Sequence, residues 1–142
     1  MQIVLTTQQI YMNNVLVTGG DGQLGSVLKE IAPNYPEYKF LFADLGNLDI
    51  TNHSAVKEFI SSNNINIIIN CAAYTNVEKA EKYPRAAMKI NNGIVSHIAK
   101  AAKNNNAILI HFSTDFIFDG KKGNAYTEND SAFPLSVYGK SK

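Results

Sequence analysis

The sequence predicts an α/β fold with a doubly wound parallel sheet, and three observations lead to that prediction. Short apolar runs typical of strands alternate with segments that have the spacing of amphipathic helices. A glycine-rich turn joins the first strand to the first helix. A later run, residues 65–71, is apolar almost throughout, as expected of a strand covered on both faces. Such alternation implies right-handed crossovers between parallel strands.

Each element follows from its own residues. Strands are expected at residues 13–18, 39–43, 65–71 and 107–112, the last of these also buried. Helices are expected at residues 24–31, after Thr51 as a candidate N-cap, from Pro84 to about Lys103, and from Leu135 onward. The buried stripe of the third helix would consist of Ala87, Asn91, Ile94, Ile98 and Ala101. Because a buried amide needs partners, Asn91 should bond to nearby strand backbone.

Length and composition indicate one globular domain. The chain has 142 residues, of which 45% are apolar and 18% charged, and a net charge of +1 gives no sign of a nucleic-acid partner. No apolar run suggests a membrane helix, and no His or Cys spacing suggests a metal site. The lone Cys71 suits a reducing compartment, so a cytoplasmic protein is expected. Residues 1–11 are expected to be a disordered or extra extension, with an edge strand through residues 3–5 as the alternative, before a domain at 12–142.

The strongest local motif is the glycine turn, residues 18–25 (TGGDGQLG). Gly19, Gly22 and Gly25 follow a strand and open a helix, the context that a dinucleotide pyrophosphate requires. The first glycine allows the tight turn, the second a close approach of backbone to phosphate, and the third close packing of helix on sheet. The start of the helix, with Gln23 and Leu24, supplies N–H donors. The motif therefore predicts a Rossmann-type NAD(P) site.

Asp44 lies nineteen residues after Gly25, at the end of the second strand. An acidic side chain there can accept hydrogen bonds from the adenosine ribose and repel a 2′-phosphate, which favours NADH over NADPH. The alternative is an ordinary turn-forming aspartate. Asp49 is a second candidate, for contact with the adenine.

Two further patterns carry candidate catalytic groups. Tyr138 and Lys142 have a spacing that places both on one face of a helix, where an ammonium favours the phenolate needed for proton transfer. Tyr35 and Lys39 share that spacing, but Pro36 excludes a helix between them. Ser113 and Thr114 end the fourth strand, and only one of the two should face the ligand crevice.

Together these residues resemble the extended short-chain dehydrogenase/reductase family. The resemblance rests on VTGGDGQLG (17–25), INCAAYTNVEKAE (69–81), INNG (90–93), HFSTDFIFDG (111–120) and the pattern from Tyr126 to Lys142. It implies that Tyr138 is the catalytic acid, that Lys142 assists it and binds the nicotinamide ribose, and that Thr114 polarises the substrate carbonyl. It also implies that Ala72, Ala73 and Tyr74 line the cofactor and that Asn91 belongs to the active-site helix.

Within that family the chain is most similar to reductases of the C4 ketone of dTDP-linked 4-keto-6-deoxy sugars, which use NADH or NADPH and can be homodimers. Members are much longer, so the resemblance implies that the last strands and the substrate domain are absent and that the fragment is inactive alone. Dehydratases carry Glu after Thr-Asp, where this chain has Phe116. An epimerase on the same scaffold and a non-catalytic regulatory subunit remain the alternatives.

Overall fold

The computed structural model describes residues 13–142, so the expected extension at residues 1–11 lies outside the described part. Four parallel strands form the sheet in the order β2-β1-β3-β4. They are β1 (Asn13–Thr18), β2 (Tyr38–Ala43), β3 (Ile65–Asn70) and β4 (Ile108–His111). The predicted fold class, an α/β structure with a parallel sheet and flanking helices, is confirmed.

Six α-helices connect and cover these strands within the described residues. They are α1 (Gln23–Ile31), α2 (His53–Ser62), α3 (Val77–Lys82), α4 (Pro84–Met88), α5 (Val95–Asn104) and α6 (Val137–Ser141). Short 3₁₀ turns occupy Ala32–Asn34 and Asp115–Ile117. The α4 and α5 helices are joined by a π-helical segment, Lys89–Ile94, so the single long helix expected from Pro84 is interrupted.

The core lies between the sheet and the helices α2 and α5. Leu16 of β1 and Ile68 of β3 are fully buried and pack with Ile60 of α2 and Ile98 of α5. The expected stripe of the third helix is confirmed, because all five of its members are buried. Burying these apolar faces is the main favourable contribution to folding, at roughly 1.5–3 kcal/mol for each large side chain.

Two details of the helices differ from the expectation. Asn52, not Thr51, caps α2, because the Asn52 side chain accepts a hydrogen bond from the N–H of Ala55 at 3.1 Å. The N–H of Thr51 instead donates to Asp49 in the preceding turn. The short helix α3 was not predicted, although Asn76 caps it in the same manner.

The fourth strand also differs from its prediction as a buried strand. Ile108 and Ile110 keep 62% and 43% of their surface exposed. The physical reason is position: in the described sheet β4 is the edge strand and pairs with β3 alone. An apolar sequence indicates a strand, but its burial depends on what packs beyond it.

Candidate active site

The site lies where the order of the strands reverses. The chain passes from β1 to β2 on one side and then returns to place β3 on the other side of β1. Ligands of such sheets bind in the crevice at the carboxyl ends of the strands, at this point of reversal. The glycine turn lies in that crevice and connects β1 to α1, as predicted.

Gly19 is required by both its backbone conformation and its neighbours. Its φ is +68°, a region that residues with a side chain rarely adopt. A Cβ on Gly19 would also lie 2.7 Å from the backbone nitrogen of Ala72, in the loop after β3. A Cβ on Gly25 would lie 2.7 Å from the Cα of Gly20. The turn is therefore packed backbone against backbone.

The start of α1 is open. Gly22 occupies the N-cap position without a side-chain hydrogen bond, and Gln23 and Leu24 are exposed. The N–H groups of a first helical turn have no partners within the helix and carry positive potential, a combination that suits phosphate. The predicted positions of Gly22, Gln23 and Leu24 at this helix start are thus what a pyrophosphate site needs.

A pocket lies beside the glycine turn, between it and the end of β2. Its lining comprises Gly19, Ala43, Asp44, Leu45, Leu48, Ile50 and Ala72. The carboxylate of Asp44 also accepts a hydrogen bond from the N–H of Gly46 at 2.8 Å. Asp44 therefore forms the turn that was its alternative role, and it also lines the pocket; its contact with the adenosine ribose stays a prediction. An apolar pocket with one carboxylate at its rim has the chemistry of an adenosine site.

Asp49 lies outside that lining. Its carboxylate accepts a hydrogen bond from the N–H of Thr51 at 2.8 Å. The pKa of Asp49 is lowered first by that backbone hydrogen bond and then by the Thr51 side chain. The neighbours of Asp49 in sequence, Leu48 and Ile50, reach the pocket instead.

Asn91 joins three parts of the site from within the π-helical segment. Its side-chain oxygen accepts from the N–H of Tyr74 at 2.7 Å, and its amide nitrogen donates to the Tyr74 carbonyl at 3.0 Å. The same nitrogen donates to the hydroxyl of Ser141 on α6 at 2.9 Å. Asn91 is buried and its partners are loop and helix groups, so the expected bonds to strand backbone are replaced by bonds to the loop after β3.

Thr114 and Tyr138 both contact Phe116. The Thr114 hydroxyl accepts a hydrogen bond from the N–H of Phe116 at 3.3 Å and donates to Asp115 at 3.1 Å. The Tyr138 ring packs edge-on against Phe116, with ring centroids 5.5 Å apart. Ser113, the other hydroxyl considered at this strand end, is exposed.

Lys142 lies near the end of β4. Its charge and the burial of His111 together lower the pKa of His111, with burial as the larger cause. Burial likewise lowers the pKa of Lys142. The structure thus brings Lys142 to the carboxyl edge of the sheet, where Thr114 and Tyr138 also lie.

A row of polar side chains crosses the carboxyl ends of three strands beneath this site. The hydroxyl of Thr18 donates to the side-chain oxygen of Asn70 at 2.5 Å, and the Asn70 amide lies 3.1 Å from Nδ1 of His111. We call Thr18, Asn70 and His111 the polar row. Thr18 and Asn70 are buried, and Nε2 of His111 has no hydrogen-bond partner among the described residues.

Several residues of the site were not identified from the sequence. They are the polar row, Ser141, and Glu81, which accepts a hydrogen bond from the N–H of Val137 at 2.7 Å at the start of α6. Ser136, the N-cap of α6, was also missed. Unlike the others it carried a recognisable signal, because serine before a helix is a common cap.

Residues 13–142 contain neither a candidate metal site nor a candidate membrane span. No group of three or more His, Cys, Asp or Glu side chains in this range could hold a metal ion. None of the helices described there is both long and apolar enough to cross a membrane.

An open parallel sheet of four strands with flanking helices, and a glycine turn at the point where the strand order reverses, defines a Rossmann-type fold of the extended short-chain dehydrogenase/reductase class. The model of the family described as RmlD substrate binding domain matches residues 12–142, and the chain belongs to this family.

Two relatives that match this chain over most of its length are named as reductases. A dTDP-4-dehydrorhamnose reductase of Aggregatibacter actinomycetemcomitans is 44% identical over 131 residues, which cover 92% of this chain and 45% of that protein. The crystal structure of the Bacillus anthracis dTDP-4-dehydrorhamnose reductase in complex with NADP has a TM-score of 0.85 and 38% identity, covering 91% of this chain and 46% of that one. The chain thus spans less than half the length of these relatives.

A more distant neighbour shares the fold alone. The UDP-glucose 4-epimerase of Stenotrophomonas maltophila, with bound NAD, has a TM-score of 0.79 but only 19% identity.

Proposed function

We propose that this chain is the dinucleotide-binding part of a reductase that acts on the C4 ketone of a dTDP-linked 4-keto-6-deoxy sugar, using NADH or NADPH. The observation that carries the proposal is that Thr114, which follows β4, and Tyr138 of α6 both contact Phe116. The reductases at 38% and 44% identity support this substrate class. The epimerase neighbour, at 19% identity, does not compete with it.

The domain assignment belongs to the same proposal. Residues 12–142 would form an incomplete dinucleotide-binding domain. The substrate domain would correspond to the part of the relatives that this chain does not cover, since the match spans 45% of the Aggregatibacter protein. A cofactor crevice without that second wall could not orient a nucleotide sugar, so we expect the described chain alone to bind cofactor without turning over substrate.

The residues present fit a dinucleotide. Gly19, Gly22 and the N–H groups at Gln23 and Leu24 would hold the pyrophosphate, and Asp44 would accept from the adenosine ribose hydroxyls. Ala72 lines the adenosine pocket, and Ala73 and Tyr74 follow it in the same loop. The carboxylate of Asp44 at the pocket rim supports a preference for NADH, because it would repel a 2′-phosphate.

Each catalytic group would have a separate task. When bound, the nicotinamide supplies a hydride to the ketone carbon. Tyr138 would donate its phenolic proton to the ketone oxygen as the alcohol forms. The hydroxyl of Thr114 would hydrogen-bond the same oxygen and fix its orientation. Lys142, whose ammonium lies at the same edge, would favour the phenolate that remains and bind the nicotinamide ribose.

Replacing the proton donor tests this function. In the full-length protein, Tyr138→Phe should lower ketone-dependent NADH oxidation about 10²- to 10⁴-fold, the usual effect of removing a positioned acid. The dissociation constant of NADH should change little, because the glycine turn is untouched. Tyr35→Phe is the matched control: Tyr35 is an exposed tyrosine with a lysine four residues later, and its loss should leave turnover unchanged.

Two results would contradict the proposal. Turnover of Tyr138→Phe within about twofold of wild type would exclude Tyr138 as the acid. A full-length protein that binds neither NADH nor NADPH would exclude a dinucleotide-dependent reductase altogether.

A further inference from the structure

An ion pair lies next to the proposed adenosine pocket, outside its lining residues, and the proposed function does not use it. Asp21, the fourth residue of the glycine turn, and Lys29 of α1 are joined by a contact of 2.6 Å between Nζ and Oδ1. Both side chains are exposed, at 69% and 39% of their surface. The Lys29 ammonium also lies 5.7 Å from the centroid of the Phe42 ring. Phe42 is the next-to-last residue of β2.

The backbone fixes this pair beside Asp44. The N–H of Gly20 donates to the carbonyl of Ala43 at 3.0 Å, which ties the glycine turn to the end of β2. A Cβ on Gly20 would lie 3.3 Å from Cε of Lys29, so the lysine side chain passes directly over this connection. The pKa of Asp21 is lowered chiefly by the hydrogen bond and charge of Lys29, with a smaller contribution from Asp44.

The rim therefore combines two carboxylates with one ammonium. Asp44 is the residue expected to meet the 2′ position of the adenosine ribose. A phosphate there would carry a charge of about −1.5 to −2. The ammonium of Lys29, which lies over the connection between the glycine turn and β2, is already engaged by Asp21. Whether the rim rejects or accepts a phosphate thus depends on the partner of Lys29.

We propose that Asp21 is a specificity-determining residue for the cofactor: by pairing with Lys29, it keeps that ammonium from binding a 2′-phosphate, and so favours NADH. The inference rests on the proposed dinucleotide site. It adds to the role of Asp44, because Asp21 both contributes a second negative charge and occupies the neutralising cation. Removing either member of the pair should therefore shift selectivity, and in opposite directions.

The experiment measures the ratio of the dissociation constants of NADPH and NADH by titration of the full-length protein at low ionic strength. In Asp21→Asn, Lys29 is released to donate to the phosphate, and the ratio should fall on the order of tenfold. In Lys29→Met, the rim keeps two uncompensated carboxylates, and the ratio should rise about threefold. Both shifts should shrink as salt is added, because the groups are exposed.

Glu30→Gln is the matched control. Glu30 is an exposed carboxylate next to Lys29 in sequence, so its loss changes the net charge of the same helix without touching the pair. Its ratio should equal that of wild type. All three positions are exposed, and unchanged circular dichroism would confirm that the variants fold.

The outcomes separate the two proposals. Opposite shifts in Asp21→Asn and Lys29→Met, with none in Glu30→Gln, support the inference. An unchanged ratio in Asp21→Asn, or a shift in the same direction in both variants, overturns it while leaving the dinucleotide site intact. Failure of wild type to bind either cofactor overturns the proposed function, and the inference with it.

Discussion

The glycine turn and the helix α6 lie at the same edge of the sheet, but they are held in place by different means. In the glycine turn, backbone meets backbone: Gly19 packs against Ala72, and Gly25 against Gly20. Helix α6 has only five residues, and side chains from distant parts of the chain secure it. Glu81 binds its first N–H group, and Asn91 binds Ser141 near its end.

The difference teaches how each region responds to change. A backbone contact cannot be relieved by a rotamer change, so an added atom in the glycine turn must distort the chain itself. A side-chain hydrogen bond can be removed without any clash, at the cost of one unpartnered group. The cofactor end of the site should therefore be rigid and intolerant of added volume, and the catalytic end adjustable.

The largest effect is expected from Gly19→Ala. Its positive φ should cost about 1–2 kcal/mol and its overlap with the Ala72 backbone about 1–3 kcal/mol more. Urea denaturation would measure the loss in the free energy of unfolding, and cofactor titration the loss of binding. Gly123→Ala is the matched control, because Gly123 has a φ of +73° but open space around it, and it should show the first cost alone. Equal losses in the two variants would mean that close packing does not distinguish the glycine turn.

A smaller effect is expected from Ser141→Ala. The Ser141 hydroxyl accepts from Asn91 and donates to the Tyr138 carbonyl at 2.7 Å, so its removal leaves a buried N–H group unpartnered. The free energy of unfolding should fall by about 1–3 kcal/mol. Cofactor binding should be retained, since no backbone in the glycine turn moves. Ser131→Ala, at an exposed serine, provides the control. Loss of cofactor binding in Ser141→Ala would show that the two regions are not separable.

The smallest expected effect is a dependence of stability on pH that arises at His111. Burial, followed by the charge of Lys142, lowers the pKa of His111 in the folded state below its ordinary value of 6.5. The unfolded chain then binds more protons, so the stabilising contribution is complete above about pH 6.5 and is lost as the pH falls toward the folded pKa. The free energy of unfolding of wild type should decrease more steeply on acidification than that of His111→Gln.

The variant His97→Gln is the control for that measurement. Its pKa is also lowered, first by burial and then by the charges of His53 and Lys100, so it contributes a slope of the same sign. His97→Gln should therefore keep the difference that His111→Gln removes. Identical pH profiles for wild type and His111→Gln would show that the polar row does not sense protons.

The comparison also explains how much could be predicted from the sequence. The glycine turn lies within eight consecutive residues, so its spacing could be identified directly, and the spacing of Tyr138 and Lys142 indicated the proposed catalytic pair. The partners of α6 could not be identified, because Asn91 and Ser141 are fifty residues apart and only folding brings them together. The exposure of Ile108 depends on its edge position, which an apolar run does not reveal.

The charged residues near the pocket also divide into those that the sequence identified and those that only the folded structure revealed. Asp44 was predicted as a ribose-binding residue because an acidic residue about twenty positions after the glycine turn commonly has that role, which stays a prediction here. The pairing of Asp21 with Lys29 was not predicted, because the two residues lie eight positions apart and come together only when the glycine turn folds against α1. Only the proximity of both to the pocket rim distinguishes them.

The polar row also bears on how the strands find their alignment during folding. Because β3 reads INIIIN, a slip of two residues along β1 would still present isoleucine to the same face of the sheet. On the other face, the slip would put Asn66 or Asn70 where Ile68 is now buried, so hydrophobic burial also opposes this misfolded competitor. Such a slip would separate Thr18 from Asn70. The buried Thr18 hydroxyl would then lack its hydrogen-bond partner, which costs about 1–3 kcal/mol. One buried hydrogen bond between two strand ends thus widens the energy gap that keeps the folding landscape directed to a single sheet.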